Sequence, residues 1–254
     1  MVSRRIYSLV SLPRPSNTVY TGINLEFARV LLRNDCNVLL ADLKLRPEAQ
    51  ELVEQYQQQQ HADKKTTKSA RAVFHRTDAT KWSDLASAFE AAEKEFGAYD
   101  IVCPGAGVFE PPWSGFWYPP GGEESRDAPD GDSYASIDLN LVHPIRASQL
   151  AISHFLLSAS KDHPKTIVLI SSIAGEMAVP MYPLYVACKW GLRGFLYSMA
   201  ALEESRHIRV AGVAPAIVKT PIWLDNPDKF QLMKKDGVWD DDWTTPEEVA
   251  DAVS

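Results

Sequence analysis

The sequence predicts an α/β fold in which a doubly wound parallel sheet carries helices on both faces. Short apolar or β-branched runs alternate with longer segments of helical periodicity, and this alternation is typical of parallel strands joined by crossover helices. Neither an internal repeat nor a linker divides the 254 residues, a length that suits one large domain. We therefore expect a single domain over residues 1–254.

The first elements are two strand–helix units. Residues 6–12 form an apolar run, interpreted as the first strand. Apolar residues then recur at helical spacing over 22–33, which predicts the first helix. The run 37–42 is a buried strand that ends in a carboxylate, Asp42. Residues 47–60 follow as a second helix, which dissolves into a polar tail.

The middle of the chain repeats the unit and then departs from it. Residues 72–77 and 100–103 are predicted strands, and the amphipathic segment 82–96 between them is a helix that Gly97 ends. Residues 110–132 are dense in Pro, Gly, Trp and acidic side chains, so a long loop or insertion is expected there.

The last part of the chain returns to alternation. A long helix is predicted over 134–160, a fifth strand over 166–171, a helix over 183–205 and a sixth strand over 208–213. The final helix, 245–253, opens with Thr-Pro-Glu-Glu, a good helix start.

Composition and charge exclude several classes of protein. The formal charge of −7 and the lack of a basic stripe argue against a nucleic-acid partner. No stretch approaches the roughly 20 apolar residues of a membrane span, so no membrane partner is expected. The three cysteines show no CxxC spacing, which favours free thiols in a reducing compartment. We expect a cytoplasmic protein without a metal site.

Tyr185 and Lys189 are the strongest chemical signal. Spaced by four residues, they share one helix face, and an ammonium beside a phenol favours the phenolate and lowers its pKa. Such a pair can exchange a proton with an alcohol oxygen. Ser172 lies 13 residues earlier, at the end of a predicted strand where α/β sheets place their active sites. Taken singly, the first pair is compatible with a chance surface pairing and the serine with a strand-end turn.

Together with Asn140 on the preceding long helix, these residues resemble the pattern of the short-chain dehydrogenase/reductase family. The resemblance covers nearly the whole chain, from about residue 22 to residue 253. The second strand's end and the acidic loop are most similar to NAD-linked members, prostaglandin dehydrogenases and their fungal relatives. The resemblance implies a Rossmann-type fold and hydride transfer between a nicotinamide cofactor and a secondary alcohol or ketone of an apolar small molecule.

The resemblance also implies a role for each matching residue. Tyr185 would be the acid/base, and Lys189 would lower its pKa and hold the nicotinamide ribose. Ser172 would orient the substrate oxygen, and Asn140 would hold a water in the proton relay. Cofactor contacts are implied for Gly22, Ile23, Asp42, Asp78, Ala106, Gly107, Asn140, Tyr185, Lys189, Val218 and Thr220.

Asp42 favours NAD over NADP. It closes the second strand about 20 residues after Gly22, where a carboxylate accepts both adenosine ribose hydroxyls and repels a 2′-phosphate. Lys44 and Arg46 lie close by and could soften this preference, so NADP stays possible. An NADPH-dependent carbonyl reductase is therefore kept as an alternative function.

The glycine-rich phosphate loop departs from the family pattern. With Gly22 as its middle glycine, Thr18 and Asn24 occupy the two other glycine positions, and Asn24 is expected to crowd the pyrophosphate. The family's Asn-Asn-Ala-Gly reads Pro104-Gly105-Ala106-Gly107, and its Pro-Gly loop reads Pro215-Ala216. These departures keep a second alternative open, a binding or scaffold protein that retains the fold with weakened cofactor affinity.

Aromatic residues concentrate in two irregular segments, 110–132 and 220–242, which are predicted to flank the active site. An aromatic lid would suit a lipid, a steroid or a secondary metabolite, whereas the alternative is that these rings only anchor long loops. The residues are Trp113, Phe116, Trp117, Tyr118, Trp223, Trp239 and Trp243.

The resemblance finally implies a homodimer through the two long helices. The chain shows no pattern for the family's seventh strand, so the sheet is expected to lack its last strand and the second interface built on it. Some of the apolar helical residues must cover the sheet instead, which leaves core and interface unassigned. The candidates are Leu150, Ile152, Leu156, Leu192, Phe195 and Met199.

Overall fold

Six parallel strands form one sheet. The computed structural model describes residues 5–9, 22–62, 70–220 and 243–253, with side chains over 22–58 and the last two ranges. The strand order is β3-β2-β1-β4-β5-β6. Successive strands are therefore added toward one edge of the sheet up to β3 and toward the other edge from β4 onward, and this order reverses between β1 and β4. The strands are β1 (Arg5–Leu9), β2 (Asn37–Asp42), β3 (Ala72–Arg76), β4 (Ile101–Pro104), β5 (Lys165–Ile170) and β6 (Ile208–Val213). The predicted doubly wound α/β fold is confirmed.

Helices connect the strands in the predicted order. The helices before the insertion at residues 110–132 begin at their predicted residues, and the final helix begins one residue later than predicted. Their bounds are α1 (Gly22–Arg33), α2 (Pro47–Ala62), α3 (Trp82–Phe96), α4 (Ala135–Ile137), α5 (His143–Phe155), α6 (Pro183–Met199), α7 (Leu202–Arg206) and α8 (Pro246–Val253).

The two long helices predicted over 134–160 and 183–205 are each interrupted. A π-helical turn, Asp138–Val142, separates α4 from α5. Pro144 accounts for the break because it has no N–H to donate to the carbonyl four residues earlier, that of Asn140. Between α6 and α7 the backbone tightens to i,i+3 bonds, the Ala200 N–H donating to the Tyr197 carbonyl.

The core lies in two layers on opposite faces of the sheet. Successive strand residues alternate between these layers: Val102 packs on one side and Cys103 on the other, and Ile167 and Val168 do the same. The strand interiors are accordingly apolar on both faces, as parallel sheets require. All three cysteines are buried, and none of them forms a disulfide bond.

At one edge of the sheet, β6 pairs with β5 alone among the described residues. Arg209 and Gly212 of this strand are exposed. The absence of a last strand stays a prediction, because residues 221–242 lie outside the described part of the chain. The helix α8 packs against α1. The first residues of α1 line the cleft that is described below. No described helix is both long and apolar enough to cross a bilayer.

Candidate active site

A cleft of about 380 Å³ opens where β1, β4 and β5 end. This is the point at which the strand order reverses, the usual ligand site of open α/β sheets. The structure brings most of the predicted site residues together here. Those lining the cleft are Gly22, Ile23, Ala106, Gly107, Asn140, Ser172, Tyr185, Lys189, Val218 and Thr220.

Ser172 and Tyr185 form a hydroxyl pair in the cleft. Ser172 follows β5 and caps a short 3₁₀ turn, its Oγ accepting from the Ala174 N–H at 3.2 Å. The same side chain lies close enough to the Tyr185 hydroxyl to influence its ionisation. Burial raises the pKa of Tyr185 to about 12, while Ser172 partly opposes that rise. Tyr185 is therefore a neutral phenol near pH 7 in this structure.

Lys189 lies one helical turn beyond Tyr185 on α6. Its Nζ donates to the Ile170 carbonyl at 2.8 Å and lies 5.4 Å from the centroid of the Tyr185 ring. Burial lowers the pKa of Lys189 to about 8. The expected lowering of the Tyr185 pKa by this ammonium is not seen, since desolvation outweighs every other influence on the phenol. The ammonium bonds to the end of β5 and not to the phenol oxygen.

Asn140 clamps the loop after β4 to the π-helical turn. Its Oδ1 accepts from the Val108 N–H at 3.0 Å and its Nδ2 donates to the Val108 carbonyl at 2.9 Å. A Cβ at Gly107 would lie 2.5 Å from that Oδ1, so the clamp requires a glycine there. The side chain of Asn140 is thus committed to Val108, and a relay water could be held only by its main-chain carbonyl, to which Pro144 cannot donate.

Asp42 carries an unsatisfied acceptor. Its side chain is buried, Oδ1 accepts from the Lys44 N–H at 3.2 Å, and Oδ2 has no hydrogen-bond partner among the described residues. Burial raises the pKa of this carboxyl to about 8. An orphaned oxygen at the end of β2 fits a diol that donates hydrogen bonds, as the ribose of a dinucleotide does.

Asp78 lies outside the lining of the cleft. Its Oδ1 accepts from the Thr80 N–H at 3.1 Å and from the Thr80 hydroxyl at 2.7 Å, and Oδ2 lies 3.8 Å from the Lys81 ammonium. The carboxylate therefore organises the turn between β3 and α3. A contact with adenine stays a prediction for this residue.

Asn24 binds the loop after β4 through its side-chain amide. Its Nδ2 donates to the Gly105 carbonyl at 2.9 Å, and its Oδ1 accepts from the Cys103 thiol at 3.7 Å. A Cβ at Gly105 would overlap this amide. The amide thus fills space left by Gly105, while Asn24 also lines the cleft, so its crowding of the phosphates stays a prediction. Thr18 lies outside the described residues.

An apolar wall that the sequence interpretation missed faces the hydroxyl pair. The Phe109 ring lies 4.9 Å from Tyr185 and 4.3 Å from Tyr182, between centroids. The sequence signal for Phe109 was weak, because an apolar residue near the end of a strand usually belongs to the hydrophobic core. Further members of this wall are Val108, Met177, Val179 and Val186.

The predicted aromatic lid is only partly described. Trp113 packs against the core and under Arg126, and Trp117 donates from Nε1 to the Pro180 carbonyl at 3.0 Å. None of the aromatic rings of 110–132 lines the cleft, so the alternative that they anchor the loop fits this segment. Trp223 and Trp239 lie outside the described residues.

Comparisons with known proteins identify the family. The chain is 34% identical over 152 residues to the short-chain dehydrogenase/reductase prx7 of Penicillium rubens, a match covering 59% of this chain. That match spans 53% of the relative, about half its length. The chain is also 28% identical over 218 residues to 15-hydroxyprostaglandin dehydrogenase (NAD(+)) of Rattus norvegicus, covering 84% of this chain and 70% of that one. The predicted similarity to fungal and prostaglandin-dehydrogenase-like members is confirmed.

Solved structures agree on the fold. A 3-oxoacyl-[acyl-carrier protein] reductase from Brucella melitensis in complex with NAD superposes with a TM-score of 0.72 at 21% identity, covering 99% of this chain and 89% of that one. The family model for short chain dehydrogenases matches residues 19–229. Since this match covers most of the sequence, the chain belongs to the short-chain dehydrogenase family, whose members are NAD(P)-dependent oxidoreductases.

Proposed function

We propose that this protein interconverts a secondary alcohol and a ketone on an apolar small molecule, with NAD as the hydride carrier. The Ser172–Tyr185 hydroxyl pair, in a cleft at the reversal of the sheet, is the observation that carries the proposal. A bound oxidised nicotinamide would supply the acceptor for the hydride that leaves the carbon bearing the hydroxyl. Tyr185 exchanges the proton of the alcohol oxygen, and Ser172 orients that oxygen.

The cofactor would lie across the carboxyl ends of β1, β2 and β4. Asp42 supplies the acceptor for the adenosine ribose, and the start of α1 at Gly22 supplies N–H groups for the pyrophosphate. Lys189 would donate to the nicotinamide ribose, and Val218 and Thr220 would contact the nicotinamide amide.

The substrate class follows from the wall opposite the hydroxyl pair. Phe109, Val179 and Val186 line it without a charged side chain between them. An apolar wall favours an uncharged hydrocarbon body next to the reacting carbon, because a charged substrate would lose its hydration without a partner. Aliphatic or aromatic secondary alcohols are accordingly the substrates to screen first.

The choice of NAD rests on Asp42 and can be tested through it. Asp42→Asn keeps the shape but removes one acceptor and, at a pH above the raised pKa of about 8, the negative charge that repels a 2′-phosphate. We expect the ratio of NADPH to NADH dissociation constants, above one in the wild type, to fall by about 10-fold or more, the equivalent of about 1.4 kcal/mol. Quenching of tryptophan fluorescence by each nucleotide measures the ratio.

The same titration separates the alternative functions. Wild-type preference for NADPH would overturn the assignment of Asp42 and favour the carbonyl reductase. If neither NADH nor NADPH bound at millimolar concentration, the proposed oxidoreductase would be contradicted and a binding or scaffold protein favoured. Glu90→Gln serves as the control, since it makes the same carboxylate-to-amide change at an exposed position of α3 that does not line the cleft, and it should leave the ratio unchanged.

We also propose a homodimer through α6. Leu192 is buried and Phe195 and Met199 pack against the core, so these three residues face the sheet instead of a partner. The exposed face carries two large rings, Trp190 and Tyr197, beside small residues. Leu150 and Ile152 of α5 pack inward in the same way, and Leu156 beyond it is exposed. Small residues beside exposed rings allow a second helix to approach closely.

Gly194 provides a clean test of the dimer. A Cβ built at this position meets nothing within 4 Å, so a larger side chain does not disturb the monomer. We expect Gly194→Arg to convert a dimer into a monomer in size exclusion coupled to light scattering. Glu54→Arg, on the exposed face of α2, should stay dimeric. A monomeric wild type, or a Gly194→Arg variant that stays dimeric, would contradict this interface.

A further inference from the structure

Glu110 is a buried carboxylate beside the candidate active site that the proposed mechanism does not use. Only 4% of its surface is exposed, and its backbone has a φ of 35°, in the left-handed region. A residue with a Cβ is disfavoured there by roughly 1 kcal/mol or more, and glycine would relieve that strain. A strained position occupied by a long acidic side chain suggests that the carboxylate itself is needed.

The two carboxylate oxygens accept from two different segments. Oε2 accepts from the Tyr185 N–H at 2.8 Å, and Oε1 accepts from the Phe116 N–H at 3.0 Å. The Tyr185 N–H belongs to the first turn of α6, where backbone donors lack partners within the helix. Tyr182, the residue at the cap position, does not cap the helix with its own side chain. Glu110 therefore caps α6 from a distant part of the chain.

The hydrogen bond from Tyr185 to Glu110 continues a series of contacts that holds residues 108–110 in place. Asn140 holds Val108 by two hydrogen bonds, and Glu110, two residues later, holds the backbone of Tyr185. Phe109 lies between them, with its ring against Tyr185. The segment thus fixes both the apolar wall and the start of the catalytic helix. A negative charge at a helix N-terminus also stabilises that end of the helix.

We infer that Glu110 is a positioning residue, which sets the place of the Tyr185 hydroxyl relative to Ser172 and to the substrate wall. The inference rests on the proposed function, because the geometry matters only if Tyr185 exchanges a proton. Its bond to Phe116 couples this placement to the insertion, since the same carboxylate anchors the loop that Trp117 ties to Pro180. Removing the carboxylate frees the first turn of α6 and the insertion together.

Glu110→Ala and Glu110→Gln test the inference. Alanine removes both acceptors, whereas glutamine keeps one oxygen and replaces the other with an NH₂ that cannot accept from an N–H. We expect Glu110→Ala to lower kcat by about 100-fold, as an ångström-scale misplacement does, and Glu110→Gln to lie between it and the wild type. The dissociation constant for NADH should stay within about twofold, because the nucleotide's proposed anchors on β2 and α1 do not touch Glu110.

A core variant distinguishes positioning from loss of stability. Leu85 is a buried core residue of α3, outside the insertion and α6. Leu85→Val should lower the melting temperature and retain the wild-type kcat. A kcat within threefold of the wild type in both Glu110 variants would overturn the inference. A loss of NADH affinity parallel to the loss of kcat would overturn it as well, because that result indicates general unfolding. If Glu110→Ala fails to fold, Glu110→Gln decides.

Hydrogen exchange provides a readout that does not need turnover. The peptides that contain Phe116 and Tyr185 should exchange faster in Glu110→Gln, while those of β2 and α1 stay protected. A wild-type protein without turnover would disprove the proposed function and leave this measurement intact. Unchanged exchange in both peptides would overturn the role of Glu110 whatever the activity.

Discussion

Replacing Tyr185 with phenylalanine should lower kcat by about 10²–10⁴-fold, the usual contribution of general acid/base catalysis. The substitution removes one oxygen and leaves the ring against Phe109, so the packing of this wall survives. Because the ring and Lys189 stay in place, the dissociation constant for NADH should change by less than about threefold. Steady-state kinetics on a secondary alcohol, with nucleotide titration in parallel, measures both quantities.

The pH profile identifies the same oxygen. Oxidation of the alcohol needs Tyr185 as a base, and its pKa, raised to about 12 by burial, keeps the base form scarce at neutral pH. Oxidation should therefore accelerate with rising pH, whereas reduction of the ketone, which needs the phenol, should slow. The positive charge of oxidised nicotinamide would move the inflection below 12, because an opposite charge favours the phenolate.

Ser172→Ala is the matched comparison, since it removes a hydroxyl from the same pair but no proton exchanger. It should lower kcat and keep the alkaline rise, which Tyr185→Phe should lose. Wild-type turnover in Tyr185→Phe, or an unchanged pH profile in that variant, would disprove the assignment.

The Lys189 ammonium also titrates in the alkaline range, because burial lowers its pKa to about 8. A Lys189→Met variant resolves which group the profile reports.

Periodicity sufficed for most of the fold. The bounds of α1, β2, α3 and β6 agree with the predicted ones, because each has a strong apolar pattern and a clear ending such as Gly97. The broken long helices were not predicted. Their apolar period continues through the breaks, and only the missing N–H of Pro144 signals the π-helical turn.

The site was partly predictable for a different reason. Tyr185, Lys189 and Ser172 follow a spacing that sequence preserves, so the structure could bring them into one cleft as expected. Glu110 and Phe109 act through contacts between segments far apart in the chain, which no local pattern encodes. The Tyr185 pKa was predicted in the wrong direction because burial, unlike spacing, is a property of the folded chain.

We expect substitutions at Asn24 and Gly105 to cause the largest changes in the free energy of unfolding. The family pattern has a small residue at the first position and an amide at the second; here the two are reversed, and the Asn24 amide occupies the space beside Gly105. Asn24→Gly leaves the half-buried Gly105 carbonyl without this donor, which costs about 1–3 kcal/mol, and adds a glycine to α1 at up to about 1 kcal/mol. Gly105→Asn alone overpacks the same space and should cost about 1–3 kcal/mol.

The double variant should recover much of both losses, because the amide then returns from the other side of the contact. We expect a coupling energy of about 2 kcal/mol in urea unfolding, within the range found for residues in contact. NADH affinity should fall a few-fold in Asn24→Gly, since the first turn of α1 loses its anchor on β4, and should return in the double variant. Combining Asn24→Gly with Gly194→Ala is the control pair, and its effects should add because Gly194 has open space around it. Additive losses at positions 24 and 105, or tighter NADH binding in Asn24→Gly, would show that Asn24 faces the cofactor after all.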